Sequence, residues 1–380
     1  MKTYKNEKGL SFYNLNTKSY QENIWEELKN GLWKELLIDN YLENDSLKAE
    51  DLALSKKIFS SIQQIIPGTK WVEQNKRLEL DLYYPNYQDN ISLKKFLLLC
   101  ESYFNSLNYK KIGVHLSGGL DSSLIICILK KLGISFIPIG LTSSTFEFRT
   151  ERRIQEILLS WGEDGCLIDI EDHPFYSEIK TIPKHQIPDD DIKSLSSSRA
   201  LAFEFKKRGC DVVFSGQGGD SLLVDEVLDF KSLSFNIGNE FMNYSQNDRI
   251  YKPLGINLIS FFGEKKIIDF LSSARLGHKE DIKKIWMRNW AKEILPKELS
   301  EYSYCADFFG LTTYGLMQAK NDIKDLLEEA YDVSHMPHFA PNNIKKFLRK
   351  DIFSFEFKDY IRYCGLISIA SWYHSFFNNE

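Results

Sequence analysis

The stretch VHLSGGLDSSLII, residues 114–126, places small and polar residues between two apolar segments. Residues 112–116 predict a short buried strand, and the segment that begins at Ser123 predicts a helix. The residues between them are small, and their backbone N–H groups can point at a ligand at the positive end of a helix dipole. This strand–loop–helix unit is typical of an anion-binding site, and phosphate is the usual anion.

The segments around this unit alternate between extended and helical patterns. Predicted strands cover residues 112–116, 136–141, 166–170 and 211–215. Predicted helices cover residues 92–107, 151–159 and 197–207, in addition to the helix after the loop. This alternation predicts an α/β fold with a parallel, twisted sheet and helices on both faces. Ligands of such sheets bind at the carboxyl ends of the strands, where the loop lies.

The two ends of the chain differ from this central region. Residues 1–90 contain a turn at Pro67-Gly68 and an alternating run at 77–84 that predicts a half-buried strand, and we expect a small α+β domain there. Beyond about residue 225 the pattern is helical and irregular, with predicted helices at 265–274, 279–295, 319–331 and 344–362. The aromatic segment 372–377 is too hydrophobic for a free tail, and we expect it to dock on these helices. We therefore predict one domain of residues 1–90 and a second of residues 91–380.

Composition favours a cytoplasmic enzyme without a nucleic-acid or membrane partner. The chain has 380 residues, enough for two domains, and its hydrophobic content of 43% supports a substantial core. A net charge of −5 argues against a nucleic-acid surface. The N-terminal residues show no signal-peptide pattern, and no apolar run approaches the ~20 residues of a membrane span. The six cysteines are scattered without a C-x-x-C pair, which predicts buried free thiols rather than disulfides or a zinc site.

The loop of residues 117–123 matches neither a Walker A motif nor the G-x-G-x-x-G dinucleotide motif. It combines backbone N–H groups, hydroxyls and one carboxylate, Asp121. A carboxylate beside bound phosphate would repel it unless a cation lay between them, so Asp121 predicts Mg²⁺. A second segment, FSGQGGDSLL at residues 214–223, follows another predicted strand and brings Asp220 to the same sheet edge. We therefore expect Asp121 and Asp220 to hold one magnesium ion that faces phosphate.

Several motifs in this order resemble one enzyme family. SGGLDSS at residues 117–123 resembles the pyrophosphate-binding loop of the PP-loop ATP pyrophosphatases, in the form found in the synthetase domain of asparagine synthetases and their relatives, the β-lactam synthetases and lasso-peptide cyclases. Further similar segments are TER at 150–152, SGQGGD at 215–220, KIWMR at 284–288, LP at 295–296, and IPG at 66–68, which resembles the last hairpin of the family's N-terminal glutaminase domain. The resemblance covers residues 55–320.

This resemblance implies a PP-loop (HUP-like) fold and a reaction. ATP and Mg²⁺ would bind at the sheet edge, a substrate carboxylate would attack the α-phosphate, and an amine would then displace AMP from the acyl-adenylate. The metal ligands would be Asp121 and Asp220. The expected ATP-binding residues are Leu116, Ser117, Gly118, Gly119, Asp121, Ser122, Ser123, Gly140, Ser215 and Gly216. The expected catalytic residues are Asp121, Asp220, Gln217, Cys305, Lys284 and Arg288.

The sequence departs from the family pattern at three points. A glutaminase needs an N-terminal cysteine nucleophile, but Lys2 follows Met1 here, so the region before residue 90 is expected to be a non-catalytic remnant. Gln217 stands where the family usually has a glutamate. The position of the family's catalytic lysine falls on Cys305 or Tyr304, and the nearest cations are Lys297 and Arg288.

These departures leave three functions open. The first is an ATP-dependent ligase that forms an amide bond on a specialised metabolite or peptide, for example lasso-type macrocyclisation in antibiotic biosynthesis. The second is a sulfur transferase that adenylates an oxygen and replaces it with sulfur carried by Cys305 or another cysteine, with a partner protein that delivers substrate or sulfur. The third is a non-catalytic nucleotide-binding homologue. Cys305 itself is either a small packed residue or a thiolate nucleophile. His115 is expected to pack against the sheet rather than to act in catalysis.

Overall fold

In this computed structural model the chain forms two compact units. The structure describes residues 3–5, 11–14, 16–21, 62–65, 69–72, 77–80, 91–144, 149–184, 188, 190–223, 247–275, 284–301, 309–335, 337–349 and 357–377. The first unit falls within Met1–Asp81, His173–Ser197 and Phe308–Glu380, and the second within Leu82–Asp172 and Ser198–Asp307. The predicted domains of residues 1–90 and 91–380 stay a prediction, and the expected turn at Pro67-Gly68 lies outside the described residues.

The strands are short, and those of the second unit form the central sheet. In chain order the described strands are β1 (Thr3–Lys5), β2 (Ser11–Asn14), β3 (Ser19–Gln21), β4 (Ile62–Ile65), β5 (Thr69–Val72), β6 (Arg77–Leu80), β7 (Ile112–His115), β8 (Ile137–Thr142), β9 (Cys166–Asp169), β10 (Val212–Ser215) and β11 (Asn257–Ser260). β7 to β11 form a five-stranded sheet in the order β11-β10-β7-β8-β9, and every neighbouring pair is parallel. The predicted parallel α/β sheet is therefore confirmed.

One strand of this sheet is missing from the sequence prediction. β11 lies at the sheet edge and pairs with β10 in the register Val212↔Asn257 to Ser215↔Ser260. The sequence predicts only helical and irregular structure beyond residue 225. A four-residue run carries too little periodicity to be recognised as a strand from sequence alone. It is a strand here because its backbone pairs with β10.

Helices flank the strands throughout the described chain. In chain order they are α1 (Leu93–Ser106), α2 (Leu120–Leu132), α3 (Arg149–Leu159), α4 (Leu195–Lys207), α5 (Gly219–Leu223), α6 (Lys265–Arg275), α7 (Ile285–Trp290), α8 (Lys297–Glu301), α9 (Phe309–Gln318), α10 (Lys320–Ser334), α11 (Pro341–Arg349) and α12 (Phe357–Phe377). None of them, in the part of the chain that the structure describes, has the length and apolarity that a bilayer crossing requires.

Two predicted helices differ from the structure. Of the helix expected over 279–295, residues 279–283 lie outside the described chain, and the rest contains α7 followed by a turn at residues 291–295 ahead of Pro296. A proline disfavours helical backbone in the residue before it, so a helix has to end earlier. The helix expected over 344–362 corresponds to parts of two helices, α11 and α12, with residues 350–356 outside the described chain.

Aromatic side chains join the helices of the second unit to its sheet. The ring of Phe104 on α1 meets Phe214 on β10 edge to face at 5.3 Å and stacks on Phe261 at 5.9 Å. α2 is buried on nearly all sides, including Leu124 to Leu129. Its apolar run therefore reflects a helix enclosed by the core, and its first turn is held rigidly at the end of β7.

The first unit combines small antiparallel sheets with helices. β5 pairs with β1 and β6, and β2 pairs with β3 and β4. Among the helices α10 packs on α12, whose Trp372 and Tyr373 are fully buried. The expectation that the aromatic C-terminal segment docks on helices is confirmed.

Candidate active site

The loop between β7 and α2 has the backbone of an anion cradle. Gly118 adopts φ +84°, in the left-handed region that favours glycine, and a Cβ there would lie 2.6 Å from the carbonyl oxygen of Glu151 on α3. Gly119 caps α2 without a side-chain hydrogen bond to the helix. The N–H groups at the start of a 13-residue helix therefore have no side-chain cap here, and they carry the positive end of its dipole.

The serines of this loop brace one another. The Ser122 hydroxyl lies 2.7 Å from the Ser117 hydroxyl and accepts the Ser117 backbone N–H at 3.1 Å. The Gly119 N–H donates to the Ser117 hydroxyl at 3.2 Å. These bonds fix the loop in one shape before any ligand binds, which lowers the ordering cost of binding.

Three buried hydroxyls near this edge have no hydrogen-bond partner within the described residues. They belong to Ser123 in the loop, Ser215 at the end of β10 and Thr142 at the end of β8. A buried polar atom without a partner costs about 1–3 kcal/mol, so such groups in native proteins call for an explanation. Because these hydroxyls are closed off from solvent in the protein alone, a ligand at this edge does not reach them. The fit to ATP rests instead on the backbone N–H groups at the start of α2 and on the glycine backbone of the cradle.

The second glycine-rich segment presses directly against the first. A Cβ at Gly216 would lie 2.5 Å from the Ser122 nitrogen, and one at Gly219 would lie 2.3 Å from Cγ of Asp121. The Ser260 hydroxyl at the end of β11 donates to the Gln217 carbonyl at 2.6 Å and holds this segment from the other side. The structure thus brings SGGLDSS and SGQGGD together, as the sequence predicts. It leaves the Gln217 side chain half-buried beside them.

Lys284 links the two predicted metal ligands. Its Nζ lies 2.6 Å from both carboxylate oxygens of Asp121 and 2.5 Å from Oδ1 of Asp220. Lys284 is only 7% exposed, whereas the Asp220 side chain is 79% exposed. The backbone of Lys284 has φ 53° and ψ 39°, a left-handed conformation that costs a residue with a side chain on the order of 1–2 kcal/mol. The chain adopts it just ahead of α7, where it brings the ammonium to both carboxylates.

Asp121, Asp220 and Lys284 form a charged triad, in which burial and the neighbouring charges shift the pKa values in opposite directions. Burial raises the pKa of the Asp121 carboxyl, the Lys284 ammonium opposes that shift, and the Asp220 carboxylate adds to it. For Lys284, burial lowers the pKa, but the two carboxylates outweigh burial and the pKa is raised overall. Lys284 therefore stays protonated at neutral pH and gives the site a fixed positive charge.

The triad also tests whether the residues fit magnesium. Carboxylate oxygens are the ligands that Mg²⁺ prefers, and those of Asp121 and Asp220 already converge on one cation, the Lys284 ammonium. No group of three or more His, Cys, Asp and Glu side chains of metal-binding geometry occurs in the described ranges. Two carboxylates suit an ion that takes its other ligands from phosphate and water. The donor set fits magnesium in that mode.

A buried amide, which sequence reasoning missed, ties the strand ends beside the loop. Gln155 on α3 donates from Nε2 to the carbonyl oxygens of Leu116 at 3.0 Å and Leu141 at 2.8 Å. A Cβ at Gly140 would lie 2.0 Å from the Leu116 carbonyl oxygen, so glycine lets β8 approach β7 there. The signal available in the sequence is a glutamine on the helix face that carries the buried Ile154 and Leu158.

A second polar cluster at this edge also has no counterpart in the sequence prediction. The hydroxyls of Ser143 and Ser144, which follow β8, each donate to one carboxylate oxygen of Glu171 at 2.5 Å. Glu171 follows β9, and its backbone N–H donates to Asp169 at 3.0 Å. Serine pairs and acidic residues after strands are too common for this contact to be recognised from sequence.

The remaining candidates are placed as follows. Arg288 is buried and donates to the carbonyl oxygen of Leu299, and its charge helps to lower the pKa of Asp121. His115 packs as expected, since its Nε2 lies 2.8 Å from the Tyr251 hydroxyl and its ring stacks on Phe205. Cys305 and Tyr304 lie outside the described residues, so the predictions on them remain predictions.

Comparison with known protein families identifies the domain that carries these loops. Residues 108–225 match the family model for asparagine synthase, and this segment is an asparagine synthetase-type synthetase domain. The match contains β7 to β10 and both glycine-rich loops but less than a third of the chain. Lys284 and Arg288 lie beyond it. No curated protein matches the chain at a significant level.

Proposed function

We propose that the protein is a ligase that splits ATP into AMP and pyrophosphate and joins a carboxylate to an amine. The matched domain belongs to a family of ATP-dependent, amide-forming ligases. The observation that carries the proposal is the contact between the two glycine-rich loops, with Asp121, Asp220 and Lys284 at their junction. The substrates that we propose are a small-molecule or peptide carboxylate and an amine, and lasso-type macrocyclisation is one form of this reaction.

In this proposal each part of the site has a separate task. The N–H groups at the start of α2, together with Ser117 and Ser122, bind the β- and γ-phosphates and hold them as they leave as pyrophosphate. Asp121 and Asp220 would hold Mg²⁺, which when bound neutralises phosphate charge. The protonated Lys284 places a further positive charge where the transition state gains negative charge. Substrate carboxylate attack on the α-phosphate gives the acyl-adenylate, and amine attack on the acyl carbon then releases AMP.

The domain organisation belongs to the same proposal. We propose that the N-terminal residues up to 90 are glutaminase-like, because IPG at 66–68 resembles the last hairpin of that domain. The nitrogen source that we propose is an amine that binds directly to the synthetase domain.

Three of the thiols that the structure describes, Cys100, Cys127 and Cys210, are poor candidates for sulfur transfer because they are buried. Burial raises the pKa of Cys100 and Cys127 far above the usual range for a thiol, and it raises that of Cys210 to about 11. Thiols in such surroundings are poor nucleophiles because the thiolate is the reactive form. The ligase proposal assigns no task to a thiol, so it expects Cys305→Ser to retain pyrophosphate release.

A pyrophosphate-release assay tests the function. Wild-type protein, Asp121→Asn and Glu163→Gln are incubated with MgATP and a panel of carboxylates and amines. Glu163 is an exposed carboxylate ahead of β9, so its variant is the matched control. We expect release that needs both substrates in wild type and Glu163→Gln, and a loss of at least about 100-fold in Asp121→Asn. Equal release by wild type and Asp121→Asn contradicts the mechanism, and nucleotide binding without cleavage across the panel indicates a binding protein instead.

A further inference from the structure

The Lys284 ammonium occupies the point on which the two acidic side chains of the site converge. It contacts both oxygens of Asp121 and one oxygen of Asp220, all within 2.6 Å. The two aspartates come from different elements, α2 and α5, and Lys284 precedes a third, α7. These elements are therefore joined by a cation that belongs to the chain itself.

An ammonium and a divalent cation compete for the same oxygens. Both need carboxylate oxygens at short range, and two positive charges beside the largely enclosed Asp121 carboxylate, whose side chain is 17% exposed, repel each other strongly. Lys284 is buried, and its stem reaches the carboxylates from a backbone position fixed at the start of α7. A free metal ion thus has to displace a partner that is already bound, desolvated and present at a high effective concentration.

Phosphate changes this balance. Its oxygens can accept hydrogen bonds from the displaced ammonium and can also coordinate the metal, so the charges in the site no longer oppose one another. Displacing the Lys284 ammonium therefore costs less free energy for a metal ion that binds together with phosphates than for a metal ion that binds alone.

We propose that Lys284 is a built-in competitor for the divalent cation, which keeps Asp121 and Asp220 paired in the nucleotide-free protein and excludes metal that comes without phosphate. This rests on the proposed function only in that the same two carboxylates are its metal ligands. It assigns to Lys284 a task before the reaction, separate from charge stabilisation during it.

Manganese binding to the nucleotide-free protein tests the proposal. Free Mn²⁺ is followed by its electron paramagnetic resonance signal during titration of wild type, Lys284→Met and Lys292→Met. Lys292 is an exposed lysine just after α7, so its variant removes the same charge without touching the carboxylates. We expect Lys284→Met to bind Mn²⁺ at least about tenfold more tightly than wild type, and Lys292→Met to bind it as wild type does. Equal affinities of wild type and Lys284→Met would overturn the proposal.

Two further measurements keep the result decisive. Lys284→Gln, which keeps a polar side chain without the charge, is titrated if Lys284→Met does not fold, and it should also bind at least about tenfold more tightly. The wild-type titration alone can overturn the proposal. It does so if wild type binds Mn²⁺ without nucleotide with a dissociation constant below about 10 μM. None of these measurements involves ATP cleavage. A protein that releases no pyrophosphate but shows the affinity change refutes the ligase proposal alone, and the reverse outcome refutes the proposal on Lys284 alone.

Discussion

Two lysines of this chain each bridge two aspartates, but in opposite surroundings. Lys284 joins Asp121 and Asp220 in the second unit, and its side chain is 9% exposed. Lys180 in the first unit lies 3.0 Å from Asp322 and 2.9 Å from Asp325, and its side chain is 32% exposed. The two aspartates that Lys180 contacts share one helix, α10, whereas those of Lys284 lie on two helices, α2 and α5, each at the end of a glycine-rich segment.

The comparison shows that similar contact distances have different consequences in water and in the interior. In the exposed triad the direct contacts determine the direction of the pKa shifts. The hydrogen bond to Asp325 raises the pKa of Lys180, and Lys180 lowers the pKa of Asp325. In the buried triad the pKa of Asp121 is raised even though an ammonium contacts both of its oxygens, because burial outweighs the attraction. A buried charge that loses its partner cannot turn to water, so the buried triad is the costly one to break.

The largest effect is expected when the buried cation is removed. Lys284→Met leaves Asp121 buried without its counter-charge, and we expect the free energy of unfolding to fall by about 3 kcal/mol. Urea unfolding of wild type and variant at pH 7, followed by circular dichroism, gives this number. Adding Mg²⁺ should restore part of the loss in the variant. A change below about 1 kcal/mol would mean that the buried triad behaves like the exposed one.

His115 isolates the effect of burial, because burial is the cause that shifts its pKa. Burial lowers the pKa of His115 to about 4, from 6.5, and the side chain is hydrogen-bonded to the neutral Tyr251 hydroxyl. Below about pH 6.5 the unfolded chain binds a proton at this position, while the folded chain does not until about pH 4. Stability from this group is therefore complete above pH 6.5 and falls by up to about 3 kcal/mol as the pH drops through that range.

The matched variant for this test is His115→Gln, which cannot titrate. Urea midpoints of wild type and variant are compared at pH 7.0 and pH 4.5. We expect the wild type to lose about 2 kcal/mol more than the variant over this interval. Parallel pH profiles would show that the environment of His115 does not penalise its charged form.

The smallest effect is expected in the exposed triad. Lys180→Met removes both of its ion pairs, and we expect the free energy of unfolding to change by less than about 1 kcal/mol. The change should shrink further at 0.5 M salt, because added ions screen exposed charges. A loss comparable to that of Lys284→Met would show that the exposed pairs are as important as the buried ones.

The parts of this protein that were predictable from sequence are those encoded over a few consecutive residues. SGGLDSS and SGQGGD each follow an apolar strand, and their glycines, serines and aspartates indicate a phosphate site locally. The parallel sheet also follows from the alternation of strand and helix patterns. That both loops meet at one edge is a property of parallel sheets in general.

The remaining features depend on contacts between distant segments. Lys284 and Asp121 are 163 positions apart, and their pairing needs a left-handed backbone at a lysine, which no local pattern indicates. Gln155 is recognisable as a clamp only when the carbonyls of Leu116 and Leu141 are known to lie side by side. β11 escaped prediction because pairing with β10, and not its own four residues, makes it a strand.

The close approach of the two glycine-rich loops limits how this protein can be altered. Alanine at position 216 or 219 would place a methyl group within 2.5 Å of Ser122 or Asp121, so neither loop can acquire a side chain there unless the other moves. The two loops therefore have to be engineered as a single part. Changes meant to alter the chemistry of this protein are therefore best made outside both loops, which leaves their mutual contact intact.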